Sequence, residues 1–187
     1  ITGWLWDFGD GDSSTETNPP YIFETAGVYT VSLTVSDGLV ESTETKVDFV
    51  TVTVMPRVIW VSVDGGEDGD GSAENPFNTI QGGINDAVDG DTVRVHPGGY
   101  TENIDFTGKA IAVISSTGTD ATTIDGGDSS SVVTFQSGED QLSLLAGFTI
   151  TGGDAEQGGG IYCSGSSPRL EDLAIKGNEA DYGGGIY

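Results

Sequence analysis

Hydrophobic and polar residues alternate in short segments along most of the chain, and glycine-rich turns separate these segments. The longest alternation covers residues 28–35, where one face carries four apolar side chains: Tyr29, Val31, Leu33 and Val35. A period of two predicts a β-strand. Asp37 and Gly38 follow directly, and this pair predicts a tight hairpin turn.

The segments on either side of this strand have the same period, which is typical of an antiparallel sandwich. Before it, the aromatic residues Trp4, Trp6 and Phe8 occupy every second position. After it, residues 39–54 supply further apolar positions: Val47, Phe49, Val50, Val52 and Val54. We therefore expect the first part of the chain to form an all-β unit.

One unit of sequence occurs twice near the end of the chain, at residues 145–162 and 170–187. The two copies align without a gap, and nine of the eighteen aligned pairs are identical, including the tail Gly-Gly-Gly-Ile-Tyr. Their offset, about 25 residues, predicts a stacked repeat. A leucine-rich repeat would need a leucine ladder and an asparagine that are absent, whereas short strands and Gly-rich turns favour the coils of a β-helix.

Short apolar pairs recur before this repeat as well, so we expect coils of about 25 residues throughout residues 90–187. In the first coil strand, Val93 and Val95 should point inward, and Arg94 and His96 outward. The same alternation directs Cys163 into the core. As it is the only cysteine, it cannot form a disulfide within the chain.

A helical period appears once, in residues 77–88, where apolar residues recur at steps of three and four: Phe77, Ile80, Ile84, Ala87 and Val88. Gly82 and Gly83 weaken this helix, so it needs tertiary contacts to persist. We expect it to cover the open edge of the first coil.

Residues 1–55 resemble the PKD domain. The resemblance is carried by Trp-Asp-Phe-Gly-Asp-Gly at residues 6–11, by Asn18-Pro19, and by the strand at residues 27–35. Two positions depart from the family pattern, Tyr21 in place of His and Phe23 in place of Tyr. The resemblance implies a partial immunoglobulin-like sandwich without its first strands, from a surface or secreted protein. We therefore expect the chain to be a slice of a longer polypeptide. The alternative is that another segment completes the sandwich by strand addition.

Residues 62–102 resemble the opening of right-handed parallel β-helices of the pectin-lyase-like type. The matching pieces include Asn75-Pro76-Phe77, Gly90-Asp91-Thr92-Val93 and Tyr100-Thr101-Glu102. The Gly-Gly-Gly-Ile-Tyr tails and Asn178 resemble repeats of polymorphic-outer-membrane-type adhesins.

Together these patterns predict an all-β fold with three regions. Residues 1–55 form the partial PKD-like antiparallel sandwich. Residues 56–89 form a junction, an acidic loop and one short capping α-helix. Residues 90–187 form right-handed parallel β-helix coils, which we expect to continue beyond the repeat.

The charge balance narrows the range of partners. Thirty acidic residues face six basic ones, for a net charge of −24. Nucleic acid and anionic membranes are therefore excluded as expected partners, because both are bound through Lys and Arg. No apolar run approaches the length of a membrane span. We expect an extracellular or bacterial cell-surface location.

Two acidic groups are candidate Ca²⁺ sites, because carboxylates are the ligands that this ion prefers. The first group is Asp7, Asp10 and Asp12. The second group, in the loop at residues 64–74, is Asp64, Asp68, Asp70 and Glu74. The alternative is structural: Asp side chains stabilise turns through backbone hydrogen bonds, and the second group lacks the spacing of an EF-hand loop.

No catalytic set is evident. The basic residues after the helix have no Asp-rich partner at the repeat period: Arg94, Lys109, Arg169 and Lys176. We therefore predict a non-catalytic extracellular structural or adhesive protein that binds polysaccharide, calcium or other copies of a surface protein. One alternative is the N-terminal part of a secreted polysaccharide lyase or glycoside hydrolase, and another is a calcium-dependent carbohydrate-binding module.

Overall fold

The computed structural model describes residues 1–53 and 55–187, which form two compact units, Ile1–Met55 and Pro56–Tyr187. Val54, which the alternation placed in the last segment of the first unit, lies outside the described residues. No helix in the described part of the chain is long and apolar enough to cross a bilayer.

The first unit is all-β and antiparallel, as the alternation predicted. Its described strands form one sheet in the order β2-β1-β3-β4, whereas a complete sandwich has two sheets. Its strands are β1 (Gly3–Asp7), β2 (Ser13–Ser14), β3 (Gly27–Ser36) and β4 (Glu41–Val52). The predicted hairpin joins β3 to β4, and the Asp37 carboxylate accepts hydrogen bonds from Leu39 N and Val40 N, both at 2.9 Å. These bonds lower the pKa of Asp37.

Aromatic side chains form the centre of this first unit. Phe8 is buried and stacks on Tyr21 with 3.7 Å between ring centroids. Phe23 contacts both rings edge-on and stacks on Tyr29. The two positions that depart from the PKD pattern, Tyr21 and Phe23, therefore keep their aromatic packing role.

The second unit is built from parallel strands around one helix. The strands before residue 120 are β5 (Val58–Gly66), β6 (Thr92–Val95), β7 (Gly98–Thr101), β8 (Ile104–Asp105) and β9 (Ala112–Ser115). The next are β10 (Thr122–Asp125), β11 (Val133–Phe135), β12 (Leu144–Ala146), β13 (Thr149–Thr151) and β14 (Asp154–Gln157). The last are β15 (Ile161–Cys163), β16 (Arg169–Glu171), β17 (Ala174–Ile175) and β18 (Glu179–Tyr182).

These strands form stacked parallel sheets that the chain visits in a repeating order. The three larger sheets are β5-β6-β9-β12-β16, β7-β10-β13-β17 and β8-β11-β15, and β14 pairs with β18 in a fourth. From β6 onward the chain passes through the three larger sheets in turn before it returns to the first. This arrangement is consistent with the predicted β-helix. It starts before residue 90, because β5 already pairs with β6.

The inward side chains of successive coils stack in rows. Ile59, Val93, Val113, Leu145 and Leu170 are register partners in the first sheet, and the first four are at most 2% exposed. The predicted orientation of the first coil strand is confirmed, because Val93 and Val95 are fully buried and His96 is exposed. Cys163 is half-buried and packs against the same core, as predicted.

The spacing of register partners matches the sequence repeat in the last turn and departs from it in earlier turns. Leu170 pairs with Leu145 and Ile175 with Ile150, so both pairs keep the offset of the repeated unit. Val113 pairs with Val93 on one side and with Leu145 on the other, and these two separations along the chain are unequal. The strands keep the register while the turns between them differ in length.

The helix is shorter than the predicted range 77–88. It is α1 (Ile80–Asp86), with Thr79 as N-cap. Phe77 is extended and bridges to Val61 and Gly66, and Ala87 is extended at the C-terminus. The helical spacing of these two apolar residues reflects burial on the same core rather than helical backbone. Ile80 and Ile84 are buried in that core, in agreement with the expected covering role.

The Gly-Gly-Gly tail is required by close approach of successive coils. Gly160 N donates to Gly184 O at 3.0 Å, and Ile161 N donates to Gly185 O at 2.9 Å. A Cβ atom on Gly159 would collide with the carbonyl oxygen of Glu179, and one on Gly160 with that of Gly185. The repeated glycines thus let one backbone lie directly on the next.

Buried carboxylates close two corners of the stack. Asp91, whose side chain is 1% exposed, accepts hydrogen bonds from Arg57 N at 2.7 Å, from the Arg57 guanidinium at 2.8 and 3.1 Å, and from Val88 N at 3.0 Å. Desolvation alone would raise the pKa of Asp91, but these donors outweigh it and lower the pKa.

Glu139 joins three successive coils in the same way. This residue is 2% exposed, and it accepts hydrogen bonds from Gly108 N at 2.7 Å, from Ser137 N at 2.9 Å and from the Ser166 hydroxyl at 2.7 Å. Burial opposes its ionisation, yet the Ser166 hydroxyl and the backbone N–H groups together lower the pKa of Glu139. Its charged form is therefore the form that the fold stabilises.

We expect Glu139→Gln to reduce the free energy of unfolding by about 2–3 kcal/mol at pH 7, because the amide leaves buried N–H donors without an acceptor. The measurement is urea unfolding followed by circular dichroism. A carboxylate whose pKa is lowered by folding stabilises the folded state when the pH is above 4.5, its ordinary pKa, and this stabilisation is lost as the pH falls. The difference between wild type and variant should therefore shrink below pH 4.5. Glu156→Gln, at an exposed position, serves as the control and should change stability by less than about 0.5 kcal/mol; an equal effect from both variants would contradict the assignment.

Candidate functional site

A polar cleft of the first unit is built around a tyrosine between two aspartates. The Tyr21 hydroxyl oxygen lies 2.6 Å from Asp10 Oδ2 and 3.1 Å from Asp12 Oδ2. A hydroxyl has one proton to donate, so the shorter contact to Asp10 is the stronger hydrogen bond. The cleft has a volume of about 450 Å³ and is lined by Asp10, Asp12, Tyr21, Ile22, Glu24, Thr25 and Tyr29.

The electrostatics of this cleft follow from that hydrogen bond. Donation from Tyr21 is the main cause that lowers the pKa of Asp10. The same bond, together with the negative charge of Asp10 and Asp12, raises the pKa of Tyr21 well above its ordinary value. The cleft therefore presents an ionised Asp10 carboxylate and a neutral phenol across the physiological pH range.

Asp7, the third residue of the first predicted calcium group, is not among the residues that line this cleft. Its Oδ1 accepts a hydrogen bond from Gly9 N at 2.9 Å, and Asp10 Oδ1 accepts one from Asp12 N at 3.1 Å. Both are turn contacts of the kind that Asp side chains commonly make. The structure thus brings Asp10 and Asp12 together and leaves Asp7 in its own turn.

In the second predicted group, Asp64 lies in β5, and Asp68, Asp70 and Glu74 lie in the loop that follows β5. Asp70 Oδ1 accepts a hydrogen bond from Ser72 N at 2.9 Å, and contacts to Ser72 lower the pKa of Asp70. The backbone carbonyl of Asp68 accepts a hydrogen bond from the Asn75 side chain at 3.2 Å. The loop also pairs with β5, since Trp60 N donates to Gly71 O at 2.9 Å. These contacts give the loop a covering role along the edge of β5.

Within residues 1–53 and 55–187, no group of three or more His, Cys, Asp or Glu side chains is arranged to hold a metal ion. Asp64, in β5, and Glu74, in the loop that follows β5, are both exposed. Both calcium groups therefore stay predictions.

The candidate bases of the stack occupy separate environments. The Lys109 ammonium donates to the carbonyl oxygens of Ile84 and Asn85, at 2.7 and 2.8 Å, and so anchors the C-terminal end of α1. Arg169 pairs with Glu171 at 2.9 Å on the surface. Arg94 has no ion-pair partner among the described residues. Burial raises the pKa of Cys163, which disfavours a reactive thiolate.

Sequence reasoning did not identify three of the carboxylates that carry most contacts. They are Asp91, Glu139 and Glu102, and Glu102 accepts hydrogen bonds from Ile80 N and Gln81 N at the start of α1, at 2.8 and 2.9 Å. Most of their partners are distant in the sequence, so no local motif marks them. The link between Tyr21 and Asp10 had a weak signal, since a hydroxyl-bearing ring stands where the PKD pattern has His.

The family match that comparison with known proteins finds lies in the first unit. Residues 1–52 match the PKD domain family. No solved structure was found to match the chain.

The similar curated proteins are bacterial proteases. Collagenase ColA of Bacillus cereus is 47% identical over 49 residues, which are 25% of this chain and 5% of the collagenase. Collagenase ColQ1 of Bacillus cereus strain Q1 is 54% identical over 37 residues, and pre-pro-metalloprotease PrtV of Vibrio cholerae is 51% identical over 37 residues. In both cases the match covers 20% of this chain and 4% of the relative. The chain thus spans about a twentieth of these relatives' length.

We expect Tyr21→Phe to raise the pKa of Asp10 toward its ordinary value of 3.8, because the main donor to its carboxylate is lost. The measurement is an NMR titration of the Asp10 carboxyl carbon. The stability that Asp10 contributes through its lowered pKa is lost as the pH falls. The variant lacks this contribution, so the stability of its first unit should decrease less in acid than that of the wild type. The control is Tyr29→Phe, whose hydroxyl donates to Thr25 O rather than to a carboxylate. An unchanged Asp10 pKa in Tyr21→Phe would refute the assignment.

Proposed function

We propose that the chain is part of a non-catalytic extracellular or cell-surface bacterial protein, in which both units have structural or adhesive roles. The observation that carries this proposal is the PKD domain at residues 1–52, of the kind found in secreted bacterial proteases and collagenases. The match does not extend to the second unit, Pro56–Tyr187, which forms the parallel stack. The protease activity named for the relatives is therefore not transferred to this chain.

The stack supports a structural role through the way it uses its charged residues. Lys109 holds the end of α1, while Asp91 and Glu139 are saturated with hydrogen bonds from the backbone and from side chains. A general base needs an accessible lone pair near a substrate. These three groups have instead been committed to holding the coils together.

A second candidate is the N-terminal part of a secreted polysaccharide lyase or glycoside hydrolase. The observation that favours it is the three-sheet parallel stack, which is consistent with the pectin-lyase-like fold. Under this alternative the stack would bind a polysaccharide along its outer faces, and the reacting groups would lie in further coils. Polysaccharide is therefore a proposed partner under both candidates. The two candidates differ in whether the protein cleaves the glycosidic bonds of the polysaccharide.

To separate the two candidates, the full-length protein that contains this chain is incubated with acidic and neutral polysaccharides. We expect no rise in ultraviolet absorbance from unsaturated products and no new reducing ends. Retardation in a gel that contains the polysaccharide reports binding independently of cleavage. The unrelated carrier protein albumin is run as a matched acidic control. Product formation that tracks the folded protein would refute the structural proposal. If neither binding nor cleavage is observed, polysaccharide is no longer a proposed partner.

Calcium is a further proposed ligand of the cleft between Asp10 and Asp12. An ion that binds only the folded state raises its stability, by about 2.7 kcal/mol at a concentration 100 times the Kd. We therefore expect the first unit to melt at a higher temperature in Ca²⁺ than in chelator. Asp10→Asn combined with Asp12→Asn should abolish this shift, whereas the exposed Asp120→Asn should retain it. Equal midpoints for the wild type in Ca²⁺ and chelator would eliminate calcium.

A further inference from the structure

The outer face of the sheet β5-β6-β9-β12-β16 is unusual for this acidic protein. Its inward residues are buried, so their neighbours along each strand point outward. The paired outward positions form what we call the arginine face: Val58, Trp60, Arg94, Ile114, Leu144 and Arg169. Val58 is 49% exposed, and the side chains of Trp60, Ile114 and Leu144 are half-buried.

This face carries little negative charge. Of the 30 acidic residues in the chain, Glu171 is the one that stands among the paired outward positions of this described sheet, and it is neutralised by Arg169 at 2.9 Å. Two of the six basic residues of the chain, Arg94 and Arg169, lie here. Aliphatic residues, Ile114 and Leu144 among them, separate the two arginines. Arginine and tryptophan are enriched at protein interfaces, where aspartate and glutamate are depleted.

A second face of the same unit has the opposite character. The parallel pair β14-β18 places Asp154 beside Glu179, and it exposes Glu156 and Asp181 on the same strands. We call these four residues the acidic face. Like charges on adjacent strands repel each other. The pairing of β14 with β18 therefore carries an electrostatic cost, which a positively charged group bound to this face would reduce.

Apolar and aromatic groups border the acidic face. Ala155 and Ala180 alternate with the carboxylates as register partners. Tyr162 stacks on Tyr187, with 6.0 Å between ring centroids. Tyr162 and Ala155 also line a shallow cleft of about 260 Å³ together with Ser131, Glu156 and Gln157. This surface can therefore accept apolar contacts as well as cations.

We propose that the arginine face of one copy of this chain binds the acidic face of a second copy. The charges of the two faces are complementary, and complementary potentials select partner and register. Because the two faces belong to different sheets of one unit, the contact is heterologous. In a dimer, one copy therefore keeps a free acidic face and the other copy keeps a free arginine face. Repetition of such a contact builds a row or a ring rather than a closed pair.

The net charge of −24 opposes this association at long range. At an ionic strength of about 0.15 M the Debye length is about 8 Å, so distant charges are screened and local contacts decide the outcome. Two guanidinium groups can donate hydrogen bonds to the carboxylates of a protein and to those of an acidic sugar alike. The apolar residues between them favour a protein partner over an acidic polysaccharide.

The inference deepens the proposed structural role and rests on it, but its test measures assembly alone. Failure of the test would therefore leave the polysaccharide experiment to decide the proposed function separately. The wild type is studied by sedimentation velocity at about 0.15 M salt over a wide range of protein concentration. We expect species larger than dimers to accumulate as the concentration rises.

Two charge-reversal variants each remove one face. The first is Arg94→Glu with Arg169→Glu, and the second is Glu156→Lys with Glu179→Lys. We expect each variant alone to associate at least about tenfold more weakly than the wild type. Matched controls reverse two charges outside both faces: Lys46→Glu with Lys176→Glu, and Glu67→Lys with Asp120→Lys. The controls should assemble as the wild type does, and thermal melting checks that every variant is folded.

Mixing the two face variants gives the decisive result. One partner retains the arginine face and the other the acidic face, so an equimolar mixture should form heterodimers that neither variant forms alone. The two reversed faces are also opposite in charge, so these heterodimers can grow further. A wild type that stays monomeric at every concentration would overturn the proposal, and so would a mixture without heterodimers. Persistent dimers of either variant alone would also overturn it, because they require a contact of one face with itself or a contact elsewhere.

Discussion

The stacking of inward side chains in register is the constraint on which the second unit depends. Each coil hydrogen-bonds to the next through parallel strands, so a residue must match its partners above and below it. Ile124 and Ile150, for example, pair directly and are fully buried. Each coil alone leaves an apolar face open, and only the stack buries it. The close approach at Gly159 and Gly160 is a consequence of the same requirement.

The corners need a different solution, because turns leave backbone N–H groups that point into the stack. Asp91 and Glu139 accept these donors and remain ionised although they are buried. Part of the acidic composition is therefore structural. Apart from Glu102, which binds the start of α1, most of the remaining carboxylates are exposed, and their uneven distribution leaves one sheet face nearly free of them. The inward residues thus hold the fold together, and the outer faces are available for binding.

Local pattern was sufficient to predict strands, their inward side and the last repeat, because alternation and self-similarity are local properties. Tyr29, Val31 and the Asp37 turn are examples in the first unit. The contacts of Glu139 could not be predicted, since Gly108 and Ser166 belong to the coils before and after it and are distant in the chain. The ends of α1 were misplaced for a related reason. Phe77 is apolar because it packs on the core from an extended segment, and periodicity alone does not distinguish that from a helix.

Unequal turns have a consequence for how such a protein can change. Val93 and its register partner Val113 are much closer along the chain than Val93 and its other partner, Ile59, because the acidic loop and α1 lie between the latter two. The length of a loop is thus uncoupled from the alignment of the strands it connects. Closing a longer loop costs only about 0.6 kcal/mol for each doubling of its length. Insertions at the turns are therefore a route by which evolution, or a protein engineer, could graft new sequences onto this scaffold without rebuilding it.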